Sequence, residues 1–262
     1  MEKIIKKTIG KAIETDMVKN MGKDISNSEI EVSVIFPTYN EAENIIPLIQ
    51  RTQQALVNHS KEIIVVDDNS PDGTWKIAED LNSFDVKVIR RLEDRGLVKS
   101  ISNAIKEAKG KYVVWMDADQ SMPPELIPRM LQKFDHYDVV VGSRYAKGGK
   151  DKRPLLRVVS SRFINVFTNI VLNFNVLDYD SGFIAAKKDL LENITLSDSA
   201  YGEYCIEFLY AAGKKGYKIK EVGYPFVDRR AGQSKTADTL SGLFKYGMLY
   251  LKRIIELRFK KI

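Results

Sequence analysis

Cysteine occurs once in the chain, at Cys205, so no disulfide can form within it and a reducing, cytoplasmic setting is expected. Nowhere does the chain run through the roughly eighteen uninterrupted apolar residues that a membrane-spanning helix needs. It is therefore expected to have no transmembrane segment. Residues 1–11 carry basic side chains with no apolar block behind them, the pattern of a chain without a secretory leader. Internal repeats and low-complexity tracts are also missing. What is there is 262 residues, 44% hydrophobic and 29% charged, which is too apolar for disorder and suits one globular domain with short appendages. The net charge of +6 fits an anionic membrane surface, a phosphorylated substrate or nucleic acid as partner, and equally a solvated lysine-rich surface.

From residue 31 onward two periods alternate. Residues 32–36, 62–66, 86–89, 112–116 and 138–141 are short apolar runs that predict strands. Between them, residues 41–58, 74–82 and 97–109 predict helices; the first has Ile45, Leu48, Ile49 and Leu56 at helical spacing with Asn40 as its cap, and Gly110 ends the third. Strands apolar on both faces and separated by helices describe an α/β fold with a mainly parallel sheet covered on both sides. Ligands of such sheets bind outside the carboxyl ends of the strands. Those ends carry Pro37-Thr38-Tyr39-Asn40-Glu41, Asp67-Asp68-Asn69 and Asp117-Ala118-Asp119, so three polar strand ends converge on one edge.

The expected division is an amphipathic extension over residues 1–30, a catalytic domain over 31–240 and a basic amphipathic helix over 241–262. Within the domain, residues 31–142 form a donor half. Residues 143–240, where the alternation breaks down, form an acceptor half. In the extension, Ile4, Ile5, Ile9, Ile13 and Val18 stand beside Lys6, Lys7 and Lys11. In the C-terminal helix, Phe244, Met248, Leu251, Ile255, Phe259 and Ile262 form a stripe opposite Lys245, Lys252, Arg253, Arg258, Lys260 and Lys261. Such a helix either lies in a membrane interface or packs its stripe on the domain.

Two carboxylates at positions i and i+2 on a turn after a buried strand, Asp117 and Asp119, suit a hard divalent cation, which takes the rest of its shell from water and phosphate. Bound to a diphosphate, the cation would neutralise charge on a departing nucleotide. Carboxylates of the Asp67–Gly73 turn would accept hydrogen bonds from a base or ribose, or else cap the next helix; Tyr39 would border a base, or simply pack. Basic residues gather in the second half: Arg144 after Gly142-Ser143, Arg153 and Arg157 around Pro154, and Arg229-Arg230 leading to Lys235. Arginine forks match phosphate geometry.

Together, Phe36-Pro37-Thr38-Tyr39-Asn40-Glu41, the run from Val65 to Thr74, Met116-Asp117-Ala118-Asp119, Gly142-Ser143-Arg144-Tyr145 and Gly232-Gln233-Ser234-Lys235 resemble the dolichyl-phosphate mannose synthases, inverting family 2 glycosyltransferases of GT-A (Rossmann-like) fold. The resemblance covers roughly residues 31–245 in uninterrupted order. It implies that Pro37, Tyr39, Glu41, Val66 and Asp68 line the nucleoside pocket, with Ala118 and Ser121 also on the nucleotide-sugar side. Asp117 and Asp119 would serve the sugar, the diphosphate and a Mg2+ or Mn2+ ion. Some relatives carry a glutamine two places after the second aspartate as a further metal ligand; here Gln120 stands one place early, is taken as that ligand, and Ser121 fills the usual position. Arg144 and Arg157 would hold the phosphates of donor and acceptor, Arg229 and Lys235 would sit on a closing loop, and Asp180-Ser181-Gly182-Phe183 would border the acceptor.

The activity implied is inverting transfer of a sugar, mannose from GDP-mannose first, to a dolichyl or polyprenyl phosphate at the cytoplasmic membrane face. The terminal helices or a membrane-anchoring partner subunit would hold the protein there peripherally. Alternatives with the same donor half are UDP-glucose or UDP-N-acetylglucosamine as donor, or a polysaccharide or protein acceptor. A nucleotidyltransferase would want a similar carboxylate pair but release a different product. A nucleic-acid module would leave the acidic strand ends unexplained, so nucleic acid is not expected as a partner.

Overall fold

The computed structural model describes residues 29–197, 202–227 and 240–259, so the helix expected within residues 1–30 falls, up to residue 28, outside the described residues. The first half of the described chain alternates as the periodicity predicts: β1 (Val32–Thr38), α1 (Ala42–Ala55), β2 (Lys61–Asp67), α2 (Thr74–Asp80), β3 (Val86–Arg90), α3 (Leu97–Glu107), β4 (Tyr112–Trp115), a 3-10 turn (Pro124–Leu126) running into α4 (Ile127–Leu131), and β5 (Val139–Ser143). The second half adds β6 (Lys150–Asp151), α5 (Leu155–Leu172), β7 (Ile184–Lys187), α6 (Lys188–Asn193), α7 (Glu203–Lys214), β8 (Ile219–Gly223) and β9 (Pro225–Phe226), and α8 (Leu240–Phe259) follows.

One seven-stranded sheet in the order β3-β2-β1-β4-β7-β5-β8 runs through both halves. Only β7 is antiparallel to its neighbours, pairing Trp115 with Ile184 on one side and Val141 with Ile184 on the other. The two-residue period of a strand sends neighbouring side chains to opposite faces. Ile35, Val113 and Trp115 accordingly enter one core, and Val34, Phe36 and Val114 the other. Each buried Val, Ile or Leu contributes about 1.5–3 kcal/mol, so this two-sided burial holds the strand ends at one edge.

Local caps depart from expectation. Asn40 does not cap α1; it takes a left-handed conformation (φ 57), which asparagine tolerates, and Glu41 holds the cap position with no side-chain bond to the helix-end N–H groups. The orphan N–H groups at this end are met from the next loop. Ser70 Oγ accepts from Asn40 N at 3.0 Å, Thr74 Oγ1 from Glu41 N at 2.9 Å, and Asp72 Oδ2 from Ala42 N at 3.0 Å. Those contacts cross about thirty positions of sequence, out of reach of a local cap rule.

The C-terminal helix also differs. α8 packs on the domain, chiefly against α5, but through Ile254 and Leu257, with Tyr250 and Leu251 half-buried beside them. Three of the residues assigned to its apolar stripe, Met248, Ile255 and Phe259, face solvent, because helix–helix contact selected a neighbouring face. Arg253 fixes that rotation by pairing with the buried Glu207 of α7. α5, among the described residues, is the one helix long and apolar enough by length and composition to cross a membrane, although polar residues interrupt it. In the fold its inner face (Ser161, Ile164, Asn165, Thr168, Leu172) is buried against the domain.

Candidate active site

Two aspartates at the carboxyl end of β2 tie this edge of the sheet together. Asp67 is fully buried: its carboxylate accepts from Thr38 Oγ1 at 2.7 Å and from Ser70 Oγ at 2.6 Å, tying the ends of β1 and β2 to the following turn. Asp68, expected in the nucleoside pocket, is nearly as buried. One oxygen accepts from Arg91 Nη1 and Ser100 Oγ, both at 2.7 Å, and the other from Gly96 N at 2.7 Å. Asp68 therefore fixes the 91–96 segment, whose Gly96 sits at φ 142, a conformation for glycine. Tyr39 stands exposed at the rim. Glu41 is buried and accepts from Asn44 Nδ2 at 2.9 Å. Val66 puts its side chain in the core, so only its backbone borders the strand-end edge, beside its register partner Pro37.

At the end of β4, Asp119 closes a small turn by accepting from Ser121 N at 3.0 Å through Oδ1. Ala118 is buried behind it. Asp117 lies against the acceptor turn, close enough that a Cβ on Gly182 would stand 3.6 Å from its Oδ1. The antiparallel pairing of β4 with β7 makes this meeting, since the 180–183 turn leads straight into β7. Among the described residues no group of three or more His, Cys, Asp and Glu is gathered, so a cation here would rest on few protein ligands. That matches a hard ion which completes its shell with phosphate and water. Ser121 Oγ is buried beside Asp119 without a hydrogen-bond partner, a polar atom left over for a ligand or water at this turn. These residues fit a divalent cation, with Asp117 and Asp119 to hold it. Gln120, at φ 63, instead turns its amide toward α1: Nε2 donates to Asn44 Oδ1 at 3.1 Å and Oε1 accepts from Arg51 at 3.5 Å.

The arginine side is a buried ion cluster. Arg144 directly follows β5; its N–H donates to Asp178 Oδ2 at 2.7 Å and its Nε to the same oxygen at 2.9 Å, while Nη2 bonds both Asp178 and Asp180. Asp180 also accepts from Asn165 Nδ2 at 2.7 Å and Ser161 Oγ at 3.0 Å, on the inner face of α5. Glu221 of β8 accepts from the backbone N–H of Leu177 and Asp178, fixing the loop that presents them. Burial works against the Arg144 charge, but the two aspartates overcome it and raise its pKa. Burial, opposed by Arg144 and reinforced by the neighbouring Asp180 charge, pushes Asp178 up to about 7. Burial acts on Asp180 too, but Arg144 and the bond from Asn165 hold it down to about 2. Among the described residues nothing accepts from Arg144 Nη1, which leaves that nitrogen as a donor for an incoming anion. Arg157 sits half-buried in the first turn of α5, one turn before Ser161; Arg153 is committed to Asp151 at 2.6 Å. Arg229 and Lys235 lie outside the described residues.

Asp178, Ser161 and Asn165 were not singled out by sequence. The available signal was two polar residues four apart on an apolar helix, and an Asp at i−2 from Asp180. Gly142 completes the arrangement, because a Cβ there would lie 2.8 Å from the Phe183 ring. Gly142→Ala is expected to cost about 1–3 kcal/mol through overpacking, measured by urea unfolding. An unchanged midpoint would mean that the ring yields freely.

A mainly parallel sheet flanked by helices, with polar strand ends at one edge and an acidic pair just beyond the central strand β4, is the arrangement of the GT-A fold. Residues 33–195 match the family model for glycosyl transferase family 2, and the chain belongs to that family of glycosyltransferases. It is 40% identical over 211 residues to a dolichol-phosphate mannosyltransferase of Pyrococcus furiosus, a match covering 79% of this chain and 59% of that protein. The chain thus spans less than two thirds of that relative's length. It is 34% identical over 212 residues to a polyprenol monophosphomannose synthase of Mycolicibacterium smegmatis, covering 77% of this chain and 79% of the relative. In fold it is similar to the crystal structure of glucosyl-3-phosphoglycerate synthase from Mycobacterium tuberculosis in complex with Mn2+, UDP and phosphoglyceric acid, with TM-score 0.68, 18% identity and coverage of 89% and 80% of the two chains.

Proposed function

We propose that this chain transfers mannose from GDP-mannose, with inversion, to a polyprenyl (dolichyl-type) phosphate, acting peripherally at the cytoplasmic face of a membrane. The observation that carries the acceptor is the two-sided character of α5. Its inner face delivers Ser161 and Asn165 to the Arg144–Asp180 cluster, and Arg157 stands in its first turn. Its outer face exposes Leu155, Val159, Phe163, Val166 and Ile170 at three- and four-residue spacing, an apolar stripe suited to a bilayer interface or an isoprenoid chain. Met248, Ile255 and Phe259 of α8 add exposed apolar area on the helix packed beside it. Phosphate recognition and apolar surface thus share one helix, as a lipid phosphate requires. The names of the two mannosyl-transferring relatives support the sugar and the lipid class.

The chemistry needs little from the side chains beyond position and charge. A lipid phosphate is ionised at neutral pH, so no side-chain base is obligatory. Arg144 and Arg157 orient the attacking phosphate opposite the nucleotide, and the Asp117–Gly182 contact sets the distance between donor and acceptor turns. Tyr39, Glu41 and Pro37 border the nucleoside, Asp68 fixes its far wall, and Ala118 and Ser121 floor the sugar-diphosphate. Asp117 and Asp119 would hold Mg2+ or Mn2+, which would supply charge neutralisation on the leaving diphosphate. Arg229 and Lys235, which follow β9 in sequence, add positive charge for the diphosphate.

The test offers GDP-mannose, UDP-glucose and UDP-N-acetylglucosamine, each with Mg2+ or Mn2+, to the protein and a short polyprenyl phosphate. A metal-dependent mannolipid from GDP-mannose alone is expected; lipid product from none of the donors would sink the acceptor assignment. Phe163→Asp is expected to reduce flotation with anionic vesicles by about tenfold, through loss of one buried aromatic side chain, while transfer to a water-soluble short-chain acceptor stays within about twofold. Unchanged flotation would remove α5 from the membrane surface.

A further inference from the structure

Three arginines stand at or just beyond the end of β3, and they are not equivalent. Arg91 is spent on Asp68 and Ser100. Arg90 is held from two sides without being used up: its guanidinium carbon lies 3.7 Å from the centroid of the Trp75 ring, and its Nε donates to Asn69 Oδ1 at 2.8 Å. Among the described residues nothing accepts from its Nη1 or Nη2. An exposed arginine ordinarily keeps its rotamer freedom; this one is stacked and tethered, so its remaining donor pair has a fixed direction. Asn69, itself left-handed at φ 57, belongs to the tight turn after β2 that anchors Arg90.

Arg90, Trp75 and Asn69 line one cleft of about 420 Å3 together with Tyr39 and Arg95. It lies at the carboxyl ends of β2 and β3. In the sheet order β3 stands two strands beyond β1, and β1 neighbours the β4 that carries the acidic pair. At about 4.8 Å per strand, the end of β3 is roughly 14 Å from the end of β4, the separation of a nucleobase from the diphosphate of the same molecule. The aromatic rings of Tyr39 and Trp75 in the lining suit a flat heterocycle.

The geometry points to Arg90 as the residue that selects guanine, with Trp75 and Asn69 as its positioning residues. Two parallel N–H donors match two adjacent acceptors, and guanine presents that pair as O6 and N7. Adenine offers N7 beside an amino donor, which an arginine fork opposes. Uracil offers O4 with no second ring acceptor next to it. This deepens the reading of the chain as a GDP-sugar transferase and rests on it, but its test needs no lipid and no turnover.

Isothermal titration of GDP, UDP and ADP, each with Mg2+, into the wild-type protein, Arg90→Ala and Trp75→Ala separates the possibilities. Wild type is expected to bind GDP at least tenfold more tightly than UDP or ADP. Arg90→Ala is expected to weaken GDP by roughly 10–100-fold and UDP by less than about threefold, collapsing the preference. Trp75→Ala moves the ratio the same way by a smaller factor. Melting temperature serves as the folding control, since Arg90 is on the surface. Equal weakening of GDP and UDP in Arg90→Ala overturns the assignment, as does a wild-type preference for UDP. Retained GDP selectivity without lipid transfer would instead fault the acceptor reading alone; no nucleotide binding by wild type would overturn both.

Discussion

Asp119→Ala is expected to lower transfer by on the order of 10^3-fold at saturating Mg2+ or Mn2+, the loss of about 4 kcal/mol of charge stabilisation on the leaving diphosphate. Asp119 is buried at the end of β4, and Oδ1 is already used to accept from Ser121 N, so alanine also loosens the turn. Asp119→Asn separates the two effects. Its amide oxygen keeps the bond to Ser121 N, while the negative charge is gone. Melting temperature within about 2 °C of wild type together with a similar loss of transfer would assign the effect to charge. An Asp119→Asn enzyme with at least a third of wild-type activity would remove the carboxylate from the metal and diphosphate role. Asp117→Asn is expected to behave in the same direction, since Asp117 faces the acceptor turn across Gly182.

The second large effect falls on Arg144. Removing it leaves Asp178 and Asp180 buried together without their cation, and Arg144→Ala is expected to cost about 3–5 kcal/mol of stability. Transfer is expected to drop by roughly 100-fold as well, because Nη1 is then lost to the incoming phosphate. Arg144→Lys restores charge but not the fork, and should recover stability more than activity. A variant with wild-type stability would mean that the cluster is solvated in solution.

The same cluster gives a pH signature. Asp178 has its folded pKa raised to about 7, so its contribution is fully present below the unfolded value and is lost as pH rises through about 7. Asp180, held down to about 2, contributes in the opposite sense, and its share is lost only as pH falls toward 2. Between pH 4 and 7 the Asp178 effect acts alone within this pair, with a slope limited to about 1.4 kcal/mol per pH unit. Asp178→Asn, permanently neutral, is expected to flatten the fall in melting temperature between pH 4 and 7 that wild type shows. Identical pH profiles for the two proteins would place the proton elsewhere.

The alternation of strands and helices from β1 to β5 was determined by the sequence itself. Val-Ile runs at residues 32–36 and 62–66 and the helical spacing of Ile45, Leu48 and Ile49 are local patterns, and local patterns carry their own period. The motifs at Asp67–Gly73, Asp117–Asp119 and Gly142–Arg144 likewise marked the strand-end edge and the family from residue order alone. What local patterns do not contain is the partner. Asp72 rather than Asn40 meets the start of α1, and Gln120 turns to α1, through contacts 30 and 76 positions apart. Asp178 became the main partner of Arg144 because β7 brings its loop beside β5 across 34 positions. The inward face of α8 was chosen by contact with α5 and α7, and not by its own strongest stripe. Period and order are properties of a segment; which side is buried and which charge finds a counter-charge depend on the surface that arrives from elsewhere in the chain, and only the tertiary structure supplies it.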